Sequence, residues 1–354
     1  MTGSQIRVGV VGCGGAAFGI HLPVLADHPD FAVAAVHDRD PGRAEAAAAR
    51  FGARARDLRT LLRTCDLVAV LTGVHEPLVE QALAAGRHVF VEKPVSLDLA
   101  TSRRLLAAAA EAGLLLEVGV MRAYDPAVHA LLAAAGSATV HARLIKRDSS
   151  DITARAPYLP AGFGPYTFEH DPIPAHPADL EGEQLQALKL LLRQGYHLLS
   201  VAVLADPELT PLACTLTAGG HGLRAELVGS AGARWDYELG DNPEGGYGEH
   251  VHLLAENTSV TLSFGPPYGP GSAACLITPS DGPGVGVSGF GNPFAAMWQA
   301  FADRMHHPAP ALSLAASGDI ALTVEGLAAA LARLCPATTP GQLAGLEPMK
   351  APSR

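Results

Sequence analysis

Residues 6–17 read IRVGVVGCGGAA, and the fold turns on this stretch. Ile6 to Val11 has the pattern of a buried strand. It runs straight into Gly12-Cys13-Gly14-Gly15-Ala16-Ala17, a GxGxxA turn. Gly12 permits the tight turn, Gly14 lets backbone approach a pyrophosphate, and the small Ala17 allows close helix–strand packing. The helix that follows offers its amino end to phosphate. Gly12, Gly14, Gly15, Ala16 and Ala17 are therefore the expected contacts of a dinucleotide.

The next segments extend the reading. Phe31 to His37 is a second buried-strand pattern ending at Asp38, 21 residues after Ala17. An acidic residue there takes the adenosine ribose hydroxyls. Asp38 favours NAD, because a carboxylate repels a 2′-phosphate. Arg39 beside it softens that preference and leaves NADP open. Pro41 to Phe51 reads as a helix with proline in its first turn. Asp66 to Leu71 is a third strand and opens into Thr72, a further expected cofactor contact. Glu76 to Ala85 is helical and Gly86 ends it. Strand 88–91, helix 97–112 and strand 114–120 follow. Strands alternating with helices at this spacing predict a parallel, doubly wound sheet.

His88 to Pro94 reads HVFVEKP. The apolar run Val89-Phe90-Val91 stops at Glu92-Lys93-Pro94, where Pro94 removes an amide donor and restrains Lys93. A lysine is thereby held at the carboxyl end of a strand, the edge where ligands sit in open parallel sheets. Glu92 is placed to orient Lys93 or to support the turn.

These segments together resemble the glucose–fructose oxidoreductase / inositol dehydrogenase / rhizopine-catabolism (Gfo/Idh/MocA) family of NAD(P)-dependent oxidoreductases. The carriers are GCGGAA, HLP at His21 to Pro23, DRDPGRA from Asp38, AAGRHVFVEKP from Ala84 and VGVMRAYDPA from Val118. They cover about the first 130 residues in order. The resemblance implies that Lys93 lies near nicotinamide and substrate. It also implies a second domain with an open sheet, one face covering the cofactor and the other used for dimerisation.

From Thr139 onward the helical rhythm gives way to strand-like runs at 139–146, 212–217, 223–228, 233–239, 250–255, 258–264 and 274–279. Short strands separated by turn clusters predict a largely antiparallel sheet. The expected organisation is an α/β Rossmann domain at 1–122, an α+β substrate and oligomerisation domain at 123–335, and a tail at 336–354. Between Asp148 and Gly182, a stretch rich in Pro, Gly and aromatics reads as a substrate lid or pocket wall. It holds Tyr158, Phe163, Tyr166, Phe168, His170, Asp171 and His176. Helices at 294–306 and 317–334 close the chain, the second with Ser317 as its N-cap.

Glu183 to Leu204 reads as one helix interrupted near Gly195, with Arg193 and His197 four apart on one face. The family resemblance places an Asp-x-x-x-His pair here with the histidine at the substrate. His197 matches, but Arg193 replaces the aspartate. An arginine repels a second cation, so His197 beside it tends towards neutral. Arg193 could instead hold a substrate carboxylate or phosphate. Tyr196 is a further candidate proton donor. Tyr124 and Asp125, after the strand ending at Val120, are expected to face the site. His250 and His252 share a strand face with no third metal ligand at suitable spacing, so no metal is expected.

Composition narrows the function classes. The chain has 354 residues, is 48% hydrophobic and 17% charged, and carries a net charge of −10. That balance argues against a nucleic-acid or anionic-membrane surface. Five scattered cysteines form no CxxC pair. No leader-like segment precedes Ile6 and no apolar run reaches membrane-spanning length, so the cytoplasm is the expected compartment. The expected activity is hydride transfer between nicotinamide and a carbinol or carbonyl carbon of a sugar, cyclitol or related polar metabolite. Lys93 and His197 are the expected proton-handling residues, and a homo-oligomer, dimer or tetramer, is implied by the resemblance. Two alternatives stand beside it: an NAD-binding sensor without net redox turnover, and an NAD-assisted glycosidase or lyase.

Overall fold

The structure, a computed structural model, describes residues 5–136, 139–148, 176–217, 219–241, 247–266, 274–279, 285–307 and 315–336. The first sheet holds β1 (Ile6–Val11), β2 (Phe31–His37), β3 (Arg54–Ala55), β4 (Leu67–Val70), β5 (His88–Val91) and β6 (Leu116–Val118). Its order is β3-β2-β1-β4-β5-β6 and every pair is parallel. The strand order reverses between β1 and β4, which opens a crevice at their carboxyl ends. Such a sheet is covered on both faces, and β4 is buried at every position.

The connecting helices begin where local chemistry dictates. A π-turn at Ala17–His21 leads into α1 (Leu22–Asp27). Asp40 caps α2 (Pro41–Phe51), accepting from the Gly42 and Arg43 amides. Asp57 caps α3 (Leu58–Thr64), a short helix that sequence patterning missed. α4 (Glu76–Ala84) is followed by Gly86 at φ 68°. Asp98 caps α5 (Leu99–Glu111) through the Thr101 amide, which starts this helix later than the apolar pattern at Leu97 suggests.

α6 (Pro126–Ala135) leads into the second sheet. Its strands are β7 (Thr139–Asp148), β8 (Thr210–Leu216), β9 (Gly222–Val228), β10 (Arg234–Asp241), β11 (Gly248–Ala255), β12 (Ser259–Phe264), β13 (Ala274–Pro279) and β14 (Val285–Phe290). Their order is β14-β13-β12-β11-β7-β10-β9-β8, antiparallel throughout except that β10 runs parallel to β7. Burial alternates along β9 and β11, so one face of the sheet is packed and the other faces outward.

The interrupted helix is two helices, α7 (Gly182–Arg193) and α8 (Tyr196–Ala205). The Gly195 amide reaches back to the Leu190 carbonyl, a wider step than the α-helical one. Arg193 and His197 therefore do not share one helix face: Arg193 ends α7 with an exposed side chain. α9 (Pro293–His306) packs on α1 and on the Met121–Tyr124 turn. α10 (Ala315–Leu334) bridges the halves, packing on α5 and β6 on one side and on α7, α8 and β8 on the other. Ser317 is not its N-cap. It lies inside the first turn, where its buried hydroxyl accepts from the Val118 amide at 3.3 Å.

Among the described residues, no helix is long and apolar enough to cross a membrane. Residues 149–175 lie outside those described, and with them Tyr158, Phe163, Tyr166, Phe168, His170 and Asp171 of the expected pocket wall.

Candidate active site

The glycine turn is shaped by backbone. Gly12 has φ 97°, and a Cβ there would lie 2.8 Å from the Leu71 carbonyl oxygen. Only glycine suits that position. A Cβ on Gly14 or Gly15 would meet nothing within 4 Å. The two residues thus border an open cradle beside the first helix, where exposed backbone suits a pyrophosphate. Asp38 stands behind it. Its Oδ2 accepts from the Cys13 amide at 2.7 Å and its Oδ1 from the Asp40 amide at 2.9 Å. The carboxylate is thereby oriented by the turn it serves, and each oxygen keeps a lone pair for a ribose hydroxyl. Burial and then Asp38 push the Cys13 thiol up to about 12, so it stays protonated.

Two strands away, the Lys93 turn is shaped by side chains. The Glu92 Oε2 accepts from the Lys93 amide at 3.0 Å. The His75 ring bridges two carbonyl oxygens, those of Pro94 and Thr72, each at 2.7 Å. Glu325 on α10 accepts from the Val95 amide at 2.9 Å. The Thr72 hydroxyl donates to the Val74 carbonyl at 2.7 Å, which fixes the end of β4. Burial raises the Glu92 carboxyl, but the His21 hydrogen bond and the Lys93 ammonium outweigh it, and its net shift is downward. It is therefore held ionised.

Lys93 reaches across to the second unit. Its Nζ donates to the Arg193 carbonyl at 2.8 Å and lies 5.6 Å from the centre of the Tyr196 ring. Arg193 thus meets Lys93 through its backbone. The Tyr196 ring is buried, and its hydroxyl has no hydrogen-bond partner among the described residues. Burial, with Glu325 and Glu92 adding to it, pushes that phenol well above its ordinary value. Tyr196 is a donor in this setting and not a phenolate.

His197 is pushed well below the ordinary imidazole value, first by burial and then by Lys93, Lys146 and Arg122. Sequence reasoning expected a neutral ring and assigned it to Arg193. The direction is the same, but burial, followed by three other cations, causes it. The His197 Nδ1 has no hydrogen-bond partner among the described residues.

Lys146 and Arg122 were missed as site residues. Lys146 is 3% exposed on β7, with Nζ 4.0 Å from Glu249. Arg122 donates to Asp125 at 2.6 Å and to Glu249 at 3.2 Å, and its guanidinium lies 3.5 Å from the centre of the Phe264 ring. Strand alternation could have found Lys146, which shares the inward register of Ala142 and Leu144. Tyr124 is engaged elsewhere than expected. Its hydroxyl donates to Glu117 at 2.5 Å and accepts from Arg304 at 3.2 Å. Arg304 also pairs directly with Glu117. Asp125 is buried as the cap of α6.

Among the described residues, no group of three His, Cys, Asp or Glu is placed to hold a metal. His250 and His252 pair across strands with Ser263 and Thr261, each at 2.9 Å.

A parallel sheet, a glycine cradle at its switch point and a clamped lysine two strands away define a dinucleotide-binding architecture. Residues 6–120, about a third of the chain, match the family model described as the oxidoreductase family, NAD-binding Rossmann fold (GFO_IDH_MocA). A dTDP-3,4-didehydro-2,6-dideoxy-alpha-D-glucose 3-reductase from Streptomyces antibioticus is 40% identical over 121 residues. That match spans 33% of this chain and only 37% of the reductase. An inositol 2-dehydrogenase from Burkholderia multivorans is 29% identical over 272 residues, covering 75% of this chain and 76% of that enzyme. The solved structure of KijD10, a 3-ketoreductase from Actinomadura kijaniata in complex with NADP, superposes with a TM-score of 0.73. It covers 94% of this chain and 98% of its own at 22% identity, a likeness of fold that extends through the second sheet.

Proposed function

We propose that this chain is an NAD(P)-dependent dehydrogenase or reductase acting on a hydroxyl or keto carbon of a sugar, nucleotide sugar or cyclitol. The observation that carries it is the Lys93 ammonium. It lies at the carboxyl end of β5, two strands from the open Gly14–Gly15 cradle, and is aimed at α7 and α8 of the second unit. The relatives named above act on such substrates, and the second sheet shares the fold of KijD10.

The nicotinamide, when bound, supplies or accepts the hydride. Gly12, Gly14, Gly15, Ala16 and Ala17 would hold the pyrophosphate, Asp38 and Arg39 the adenosine ribose, and Thr72, Glu92 and Lys93 the nicotinamide half. Lys93 donates to the substrate oxygen and passes the single proton that hydride transfer requires. Neutral His197 accepts or shares that proton, and Tyr196 offers a buried hydroxyl. Arg193, at the exposed end of α7, would meet an anionic part of the substrate. In this reading residues 1–122 bind the dinucleotide and 123–335 carry the substrate wall, with the outward face of the second sheet joining two protomers.

The test is fluorescence titration with NADH and NADPH, followed by a screen of 3-keto nucleotide sugars and inositols for nicotinamide turnover. Tight NADH binding and turnover on one of these classes is the expected result. Binding of neither nucleotide would overturn the proposal.

A further inference from the structure

The Lys93 turn is fastened from a distance. Trp298, on α9, points its indole N–H at the His21 Nδ1 at 3.1 Å. An indole nitrogen only donates, so this ring nitrogen is the acceptor and the proton sits on Nε2. The His21 Nε2 then donates to the Glu92 Oε1 at 2.9 Å. The other oxygen of Glu92 takes the Lys93 amide. Each link has one direction only: donation runs from Trp298 through His21 to Glu92, whose carboxylate accepts from His21 on one oxygen and from the Lys93 amide on the other.

The surroundings enforce that direction. His21 is fully buried, with ring centroids at 5.2 Å from Phe90, 5.7 Å from Phe294 and 5.9 Å from Trp298. Trp298 is itself fully buried and lies 4.4 Å from Phe90, where α9 meets the strand that leads to Lys93. An apolar cage holds the imidazole between these two polar partners, so losing the indole N–H frees it to rotate and to swap its tautomer. Glu92 would then lose its donor, and the turn one of its supports.

We infer that Trp298 and His21 are positioning residues for Lys93, acting through Glu92 and making α9 part of the apparatus that aims the ammonium. The inference rests on Lys93 handling the proton, as proposed above. It has a readout that does not depend on that role. The chain has four lysines, Lys93, Lys146, Lys189 and Lys350, so reductive methylation can be followed residue by residue by mass spectrometry.

The experiment compares Trp298→Phe, which keeps an aromatic ring and removes the N–H, with His21→Phe and His21→Gln. The first two are expected to raise the methylation rate of Lys93 about threefold or more, with Lys189 unchanged, and His21→Gln, which keeps a donor towards Glu92, to return it towards the native rate. Turnover should fall about tenfold in kcat in the first two, with the cofactor KM moved less than about twofold, as expected when a reacting group is misplaced and ground-state binding is left intact. Native Lys93 reactivity in both donor-less variants overturns the inference, and so does a loss of thermal stability with unchanged kcat in the folded fraction. If Trp298→Phe does not fold, the two His21 variants decide alone. Full turnover in Lys93→Met would sink the catalytic reading instead, leaving the methylation result to judge the relay.

Discussion

The two turns that flank the candidate site are built on opposite principles. The Gly12–Ala17 turn is held by backbone sterics and leaves empty space where side chains would be. The Glu92–Val95 turn is held by side chains: Glu92 on the Lys93 amide, His75 on the Pro94 carbonyl and Glu325 of α10 on the Val95 amide. A surface that must accept a flexible diphosphate needs room and exposed amides. A group that must meet one reacting atom needs its position over-determined. The division of labour is a property of the pair, and substitutions should separate it.

The largest effect is expected at Lys93. Lys93→Met should cut kcat on the true substrate by about a thousandfold, the range of a lost proton-transfer group, while NADH affinity moves little. Steady-state kinetics with fluorescence titration checks both halves. On the glycine side, Gly14→Val fills the open cradle and is expected to weaken nucleotide binding by at least about tenfold, with thermal stability nearly unchanged. Gly12→Ala should behave in the reverse order, losing stability first, because its Cβ would press on the Leu71 carbonyl at 2.8 Å. Equal Tm losses in both variants would break the distinction.

Glu325 sharpens the other side. Burial pushes its carboxyl up to about 8, and Glu76 and Asp98 reinforce that against hydrogen bonds from Ser102 and Val95. The folded state then keeps a proton that the unfolded chain releases near the ordinary value of 4.5. Stability must fall as pH rises between those values and level off above. Glu325→Gln should flatten that slope, which urea unfolding at pH 5 and pH 8 would detect as a difference on the order of a few kcal/mol. The smallest effect concerns His197. Lys146→Met removes one of the cations that hold it neutral, so the acid limb of the pH–rate profile should move to higher pH by a fraction of a unit.

The first sheet was legible because its signals are local. Glycines at GxGxxA, Pro41 behind Asp40, and apolar runs of strand length all act within a few residues. α3 escaped because seven residues show too little periodicity. The site was legible only where it is local too. Lys93 stood out beside Pro94, whereas the partners of its turn lie far along the chain at His75, Glu325 and, through Glu92, Trp298. His21 was quoted for resemblance, yet nothing in HLP announces that its ring faces Glu92. The shared face of Arg193 and His197 does not form because i, i+4 spacing does not carry across the interruption at Gly195. The break at Gly195 sends the side chain outward and leaves the carbonyl to meet Lys93.

The parallel pair inside the second sheet bears on how the chain reaches this structure. β7 is central, yet its neighbours are β10 and β11, with His141 opposite Arg234 and Leu254. Hairpins β8–β9, β11–β12 and β12–β13 join near neighbours in sequence and can form early. The middle of the sheet must wait until residues beyond 230 have been made, and the first sheet waits longer still for α9, which packs on α1 and the Met121–Tyr124 turn. Neither half is covered until the last helices of the chain arrive, so the two mature together and not in turn.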